Sequence, residues 1–415
     1  MSAPLDPPPV ERIPREIWVL IASAFVIAVG FGLITPVLPR FAQSFGVGAT
    51  ASSIVVSAFA FFRLIGAPGG GRLIGRFGER PIYLAGLLIV AASTAATAFA
   101  NSYWQLLLYR SVGGIGSTMF TVSALALIVR LAPASIRARV SSSYASAFLI
   151  GGVLGPVVGG MLGGFGLRVP FLAYAGFLVV AALVVAVLIP GEPRGAGRAA
   201  ADEREVLTLR GAWPDSAYRA ALASGFANGW STFGVRNAIV PLFAAAAIST
   251  ATWVAGAALA VFAAGNAVAL LALGRRSDRV GRRPMVIGGL VISGLAIGFT
   301  GLAAGLATLM IWSLVAGIGA GMMNPAQQAS VADVVGRERN GGPALAAFQM
   351  AGDTGAILGP IVAGSLVDWG SYPLAFGVTA AISLAAVLPW WWARESSPGK
   401  QSAATTPADD PHTTY

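Results

Sequence analysis

The sequence predicts an all-α membrane protein in which twelve transmembrane helices form two pseudo-symmetric six-helix bundles. Three observations carry this expectation. Of 415 residues, 56% are hydrophobic and only 11% charged, with a mean hydropathy of +0.75, whereas a soluble domain carries about 25% charged residues. Apolar runs of bilayer length recur in a six, linker, six pattern. Short elements of the first half reappear in the second at a nearly constant offset, the mark of a duplicated unit.

In order along the chain, the first 16 residues, with Pro7, Pro8 and Pro9, lack the apolar core of a cleavable signal. The first span itself is therefore expected to direct insertion. Apolar runs bounded by Gly, Pro or charge cover 17–39, 50–72, 81–100, 103–129, 138–163 and 169–190. Glu192, Arg194, Arg198, Asp202, Glu203, Arg204, Glu205 and Arg210 then make 191–213 too charged for hydrocarbon, and this segment reads as a cytoplasmic linker. A second set covers 216–246, 252–273, 284–304, 307–332, 343–366 and 371–393. The expected organisation is a cytoplasmic tail over 1–16, a bundle over 17–190, the linker, a bundle over 214–393 and a disordered cytoplasmic tail over 394–415. Trp390, Trp391 and Trp392 read as an interfacial anchor ending the last span.

With both termini in the cytoplasm, the Lys and Arg residues lie in cytoplasmic segments or at their borders, except Arg63, Arg110 and Arg236 within spans and Arg40 and Arg168 outside. This is the positive-inside bias. The net charge of +10 is then a topology signal and a contact for anionic lipid, not a nucleic-acid surface. Zero cysteines remove disulfides and thiolate chemistry, and the single histidine, His412, sits in the polar tail, so neither metal nor cofactor is expected. A membrane enzyme lacks the side chains for its chemistry. A sensor lacks an output domain, and no phosphate-binding G-x-x-x-x-G-K-[ST] motif offers ATP as an energy source.

Gly71, Arg76, Gly78, Arg80 and Pro81 align with Gly274, Arg279, Gly281, Arg283 and Pro284 at an offset of 203. Gly114-Ile115-Gly116 meets Gly317-Ile318-Gly319 at the same offset, and Gly155-Pro156 meets Gly359-Pro360 at 204. The loop Gly71-Arg-Leu-Ile-Gly75-Arg76-Phe-Gly78-Glu79-Arg80 resembles the G-x-L-x-D-R-x-G-R-R motif of the major facilitator superfamily. Arg110-Ser-Val-Gly113-Gly114 resembles that family's R-x-x-x-G motif. Gly151-Gly152-Val-Leu-Gly155-Pro156-Val-Val-Gly159-Gly160 resembles the signature of its twelve-helix drug:proton antiporter branch. The resemblance spans the first helix to the last. It implies the family fold and a secondary transporter of small molecules in a bacterial cytoplasmic membrane, a placement that 26 Arg against one Lys also fits. The expected partners are a small-molecule substrate, protons and the bilayer, with the chain a monomer.

The glycines of the fifth span, with Pro156, remove bulk at i, i+4 spacing and let helices approach closely, a property that serves any rocking bundle as well as an exporter. In the loop motif Gly75 replaces the Asp, whereas the second copy keeps Asp278. Asp333, at the cytoplasmic end of the tenth span, has Arg130 as its repeat mate. The first half is therefore expected to lack both acids of a charge relay. The closing latch is expected to operate from Asp278, Arg279, Arg282 and Asp333 against the start of the fifth span, with Gly71 and Arg76 as the first-half counterpart.

Ionisable groups inside spans cost about 2.5–3.5 kcal/mol on insertion scales. Asp353 is the only deep carboxylate, about ten residues or roughly 15 Å into its helix. It reads either as the proton site or as a permanent ion pair with Arg63 or Arg236. Arg110 stays charged at any relevant pH, and the resemblance gives it a coupling role. The rest of a substrate cavity is expected from Arg63, Arg236, Asn237, Asn266, Asn228, Trp230, Asn324, Gln327, Gln349, Phe31 and Thr35. Three positive charges against one negative argue for export of a neutral or acidic amphiphile over a cation. An anionic-metabolite transporter or a proton symporter of the same fold stands as the alternative.

Overall fold

The structure, a computed structural model, describes residues 13–133, 136–190, 207–273, 280–336 and 341–397. Twelve helices among them are long and apolar enough to cross a bilayer. They are α1 (Arg15–Ile34), α2 (Ala49–Phe77), α3 (Glu79–Ala98), α4 (Tyr103–Leu131), α5 (Arg137–Gly163), α6 (Val169–Leu188), α7 (Ser216–Ile248), α8 (Thr252–Leu273), α9 (Arg282–Thr300), α10 (Leu306–Val335), α11 (Gly342–Trp369) and α12 (Tyr372–Trp392). Helix α2 continues past residue 72 to Phe77, so most of the loop motif is helical. It stops at Gly78, whose φ of +86° no other residue adopts cheaply, and Gly281 opens α9 with a φ of +110°. Ser102 and Ser371 cap α4 and α12 by accepting the backbone N–H of Gln105 and Leu374. Helix α7 contains π-helical turns at Gly229–Val235 and Ala244–Ile248, irregularities that favour functional positions.

Each half packs its own apolar core. One cluster draws on residues between Ile17 and Ile189, with Leu20, Leu87, Leu127 and Phe171 at its centre. The second half builds clusters around Tyr218, Val286 and Trp390 and around Ile239, Ala258 and Phe376. Trp390 is fully buried while Trp391 and Trp392 are exposed. The expected aromatic anchor is thus reduced to the last two, because the helical turn aims the first indole inward.

The halves meet along α2 with α11 and α5 with α8. At the end away from the termini the contact is close. A Cβ on Gly160 would lie 3.1 Å from the Cα of Gly256, and one on Gly364 would lie 2.8 Å from the carbonyl oxygen of Ala49, so glycine is what lets these backbones touch. Thr252 Oγ1 donates to the Gly160 carbonyl at 2.8 Å, and Arg40 donates to the Thr250 carbonyl at 2.6 Å. Asp368, at the end of α11, accepts the backbone N–H groups of Ala49 and Thr50 at 2.8 and 2.9 Å and the Thr50 hydroxyl at 2.6 Å. A helix of the first half is therefore capped by a carboxylate of the second. Toward the termini, Gly69, Gly71 and Gly75 of α2 face open space, and the ion pairs found there among the described residues each stay within one half. Among the described residues the seam is sealed at the end away from the termini, and no ion pair crosses it at the other.

Candidate functional site

A small open cavity of about 80 Å³ lies on the seam. Phe31 of α1 and Thr35 just past its end, Phe59 and Arg63 of α2, Arg110 of α4 and Asn237 of α7 line it, with Ala356 of α11. Both halves thus contribute to an apolar pocket with a few polar groups, the usual composition of a small-molecule site. Five of the residues expected from the sequence, Phe31, Thr35, Arg63, Arg110 and Asn237, meet here.

One turn from Ala356 on α11, the Asp353 carboxylate accepts from Arg63 at 2.6 Å. Of the two partners left open by the sequence, the structure selects Arg63. The pair bolts α2 to α11 across the seam, and both side chains are partly exposed, the arginine at 44% and the aspartate at 24%.

Arg110 and Arg236 are both buried, and each lies over an aromatic ring. The Arg110 guanidinium carbon is 4.4 Å from the Phe59 ring centroid and that of Arg236 is 3.7 Å from Phe262. The two phenylalanines are repeat mates at offset 203, so each half offers the same π face to an arginine from a different helix. Nε of Arg110, and Nε and Nη1 of Arg236, are buried with no hydrogen-bond partner among the described residues.

Arg236 does not line the cavity. Its neighbour Asn237 does, because successive helical residues point about 100° apart and the arginine turns onto α8. The other expected cavity residues also lie elsewhere. Asn228 Nδ2 donates to Asn324 Oδ1 at 2.8 Å, and Gln327 Nε2 donates to the same oxygen at 3.2 Å; these amides join α7 to α10, while Asn228 Oδ1 and Gln327 Oε1 are buried with no hydrogen-bond partner among the described residues. Trp230 is buried, its Nε1 donating to Thr379 at 3.4 Å. The backbone of Asn266 runs against Gly317 and Gly321 of α10, and Gln349 is exposed near the start of α11.

Arg282 Nε donates to Asp333 at 3.2 Å inside the second half, while Asp278 and Arg279 lie outside the described residues. In the first half Arg130 pairs with Glu79 at 3.7 Å. Glu79 and Arg282 are repeat mates, as are Arg130 and Asp333. The first half, with Gly75 and Arg130 where the relay acids would stand, holds an ion pair at the matching positions with the signs exchanged. Gly71 faces open space and the Arg76 guanidinium sits 5.3 Å from the Phe77 ring. Glu395 accepts the N–H groups of Arg282 at 2.8 Å and Arg283 at 3.2 Å and so caps α9. Nearby, Arg394 forms an ion pair with Asp215, the residue that caps α7. Burial of Asp215 pushes its carboxyl up, but the Arg394 hydrogen bond and charge, with two backbone donors, outweigh it and hold the group below the usual carboxylate range.

The glycine motif of α5 works on two faces. Gly151, Gly155 and Gly159 face α1, where a Cβ would come within 2.7 Å of Ala28 Cβ, 2.7 Å of Gly32 Cα and 2.6 Å of Leu33 Cα. Gly160 faces α8 across the seam, and the Pro156 carbonyl abuts Gly256 there. The α11 copy repeats the arrangement, with Gly355 and Gly359 against Trp230 of α7 and Gly364 against α2. A motif used identically in both halves is explained by packing.

Among proteins of known sequence, quinolone resistance protein NorA of Staphylococcus aureus is 29% identical over 181 residues, 43% of this chain and 46% of that protein. Multidrug resistance protein 2 of Bacillus subtilis is 27% identical over 165 residues, 40% and 41% of the two chains. The chain thus aligns with less than half the length of these relatives. A bacterial homolog of the human lysosomal transporter Spinster, in an inward-facing and unoccupied conformation, superposes with a TM-score of 0.77 at 17% identity, covering 95% of this chain and 98% of that one. The human organic anion transporter MFSD10 superposes with 0.64 at 18%, covering 91% and 100%. The family model described as the Major Facilitator Superfamily matches residues 20–254 and again 221–412. With both halves matched and the twelve-helix fold in place, the chain belongs to the Major Facilitator Superfamily, whose matched members are membrane transporters and not enzymes.

Proposed function

We propose that this transporter exports small amphipathic, drug-like compounds, neutral or acidic in preference to cationic, by proton antiport with alternating access. The observation that carries the reading is the Arg63–Asp353 pair, a lone deep carboxylate held across the seam beside a cavity that both halves line. A proton arriving on Asp353 releases Arg63, frees the two halves from each other at mid-membrane and leaves a cation available to cargo. Arg110, fixed over Phe59, biases both events by its charge. The two bundles, 17–190 and 214–393, swing as bodies joined by the 191–213 linker in a monomer of the bacterial cytoplasmic membrane with both termini in the cytoplasm. On this reading the end of the seam nearer the termini faces the cytoplasm and opens there when cargo is taken up. The resistance proteins among the relatives support drug-like cargo.

The alternative, an anionic-metabolite transporter or proton symporter clamping its cargo between Arg63 and Arg236, is disfavoured because Arg236 is buried against Phe262. Proteoliposomes with an imposed pH gradient test the proposal. The wild-type chain accumulates substrate against its gradient, and Asp353→Asn retains substrate exchange but loses gradient-driven accumulation. Accumulation by the Asn variant at the wild-type level would remove Asp353 from proton coupling.

A further inference from the structure

We infer that the seam cavity contains a subsite for one carboxylate of a lipophilic monoanion, with Arg110 as its fixed cation and Asp353 as an internal placeholder on Arg63 that the ligand displaces. The inference rests on the proposal above only in taking the cavity as the place where cargo sits.

Arg110 is 5% exposed and lines the cavity, with Nε buried and unpartnered. No carboxylate lies within ion-pair distance of it among the described residues. The Phe59 ring at 4.4 Å compensates its charge only in part. A guanidinium kept in such a place without a counter-ion is expensive, and a ligand that brings the missing charge recovers that energy on binding. Arg63 stands one helical turn from Phe59 on the same face of α2, about 6 Å along the axis, and lines the same cavity. Its charge is already answered by Asp353. Two cations and one anion at the pocket leave a single positive charge uncompensated, which a monoanion neutralises and a cation aggravates.

The planar guanidinium fork suits a carboxylate in particular. Phe31, Ile34, Val56 and Phe59 provide the apolar wall for an aryl or alkyl body. Because the placeholder is also a carboxylate, ligand and Asp353 compete for Arg63 with the same chemistry. Removing the placeholder should therefore strengthen binding.

The test is equilibrium binding to the purified full-length chain at fixed pH, without a gradient. The probes are 2-naphthoate, its neutral amide and 2-naphthylmethylammonium, which share one aromatic body. Naphthoate binds about tenfold tighter than the amide, as expected for one charge-assisted contact, and the ammonium binds weakest. Arg110→Gln brings naphthoate down to the amide. Asp353→Asn tightens naphthoate several-fold and leaves the amide unchanged, a gain that misfolding cannot imitate should Arg110→Gln be unstable. The inference is overturned if amide and naphthoate bind alike, if none of the three binds, or if Asp353→Asn weakens naphthoate. Since no proton gradient is involved, a carboxylate preference that survives alongside uncoupled transport would sink the antiport reading and leave the subsite standing.

Discussion

The two halves share a skeleton and differ in where they place charge. At the termini end of the bundle, Glu79 on α3 meets Arg130 on α4 in the first half, and Arg282 on α9 meets Asp333 on α10 in the second. The duplication has kept two positions and their complementarity while exchanging the signs, so the conserved quantity is the ion pair and not the residue. At mid-membrane the halves are not interchangeable. Arg63 corresponds to Asn266 and Arg110 to Ser313 at offset 203, and the deep acid Asp353 corresponds to Leu149 at 204. The first half therefore gives the cavity its cations and the second its carboxylate, so the attraction across the seam runs from one body to the other.

The largest expected effect comes from reversing that attraction. Arg63→Asp sets two carboxylates against each other where the pair now measures 2.6 Å, and transport in proteoliposomes falls by about tenfold or more, as for like charges set against each other at a contact. The exchanged double variant, Arg63→Asp with Asp353→Arg, recovers a measurable part of it. Equal transport by Arg63→Asp and wild type would show that the seam pair carries no function.

Next comes the sign-exchanged latch. Glu79→Arg faces Arg130 with a like charge and lowers stability by about 1–3 kcal/mol, read from thermal unfolding in detergent. Adding Arg130→Asp rebuilds the second half's version in the first and restores most of the loss. A double-mutant cycle without coupling would mean that the two pairs are unrelated.

The twelve helices were legible because hydrocarbon thickness fixes the length and polarity of a span, and the depth of Asp353 followed from counting residues. Its partner was not legible, since Arg63 lies 290 residues away and Arg236 is equally apolar in context. The exchanged pair was within reach, because adding 203 to Glu79 gives Arg282; Glu79 was passed over by reading Arg130 as a lost acid instead of as half of a pair. Asp368 was missed because an acid at a span border costs little and looks like a loop residue. Only the packing of α11 against α2 reveals it as a cap. Arg236 was misplaced for a rotational reason, since hydropathy does not say which of two adjacent polar residues turns toward the seam.

Smaller effects test the ends of the seam. Asp368→Asn removes a charged cap shared between halves, worth about 0.5–2 kcal/mol, and increases the reactivity of a cysteine placed at Thr50 toward a membrane-impermeant maleimide. Unchanged labelling would show that Asp368 does not hold that end shut. The smallest effect is that of Asp215→Asn, about 1 kcal/mol or less for a half-exposed pair with Arg394. Because the Asp215 carboxyl sits below its usual range in the folded chain, its contribution is present above about pH 4 and is lost as pH falls through the folded value. The difference in melting temperature between wild type and Asp215→Asn is therefore present at pH 7 and disappears in acid.

The central claim is that the sealed end must part for cargo to cross. Thr50 Oγ1 and Ser365 Oγ lie 3.5 Å apart across the seam, and the chain contains no cysteine, so Thr50→Cys with Ser365→Cys places two thiols within bonding reach on an otherwise thiol-free background. Oxidised to the disulfide in proteoliposomes, this variant is expected to lose gradient-driven transport and to regain it on reduction. A fully cross-linked population transporting at the reduced rate would contradict the account.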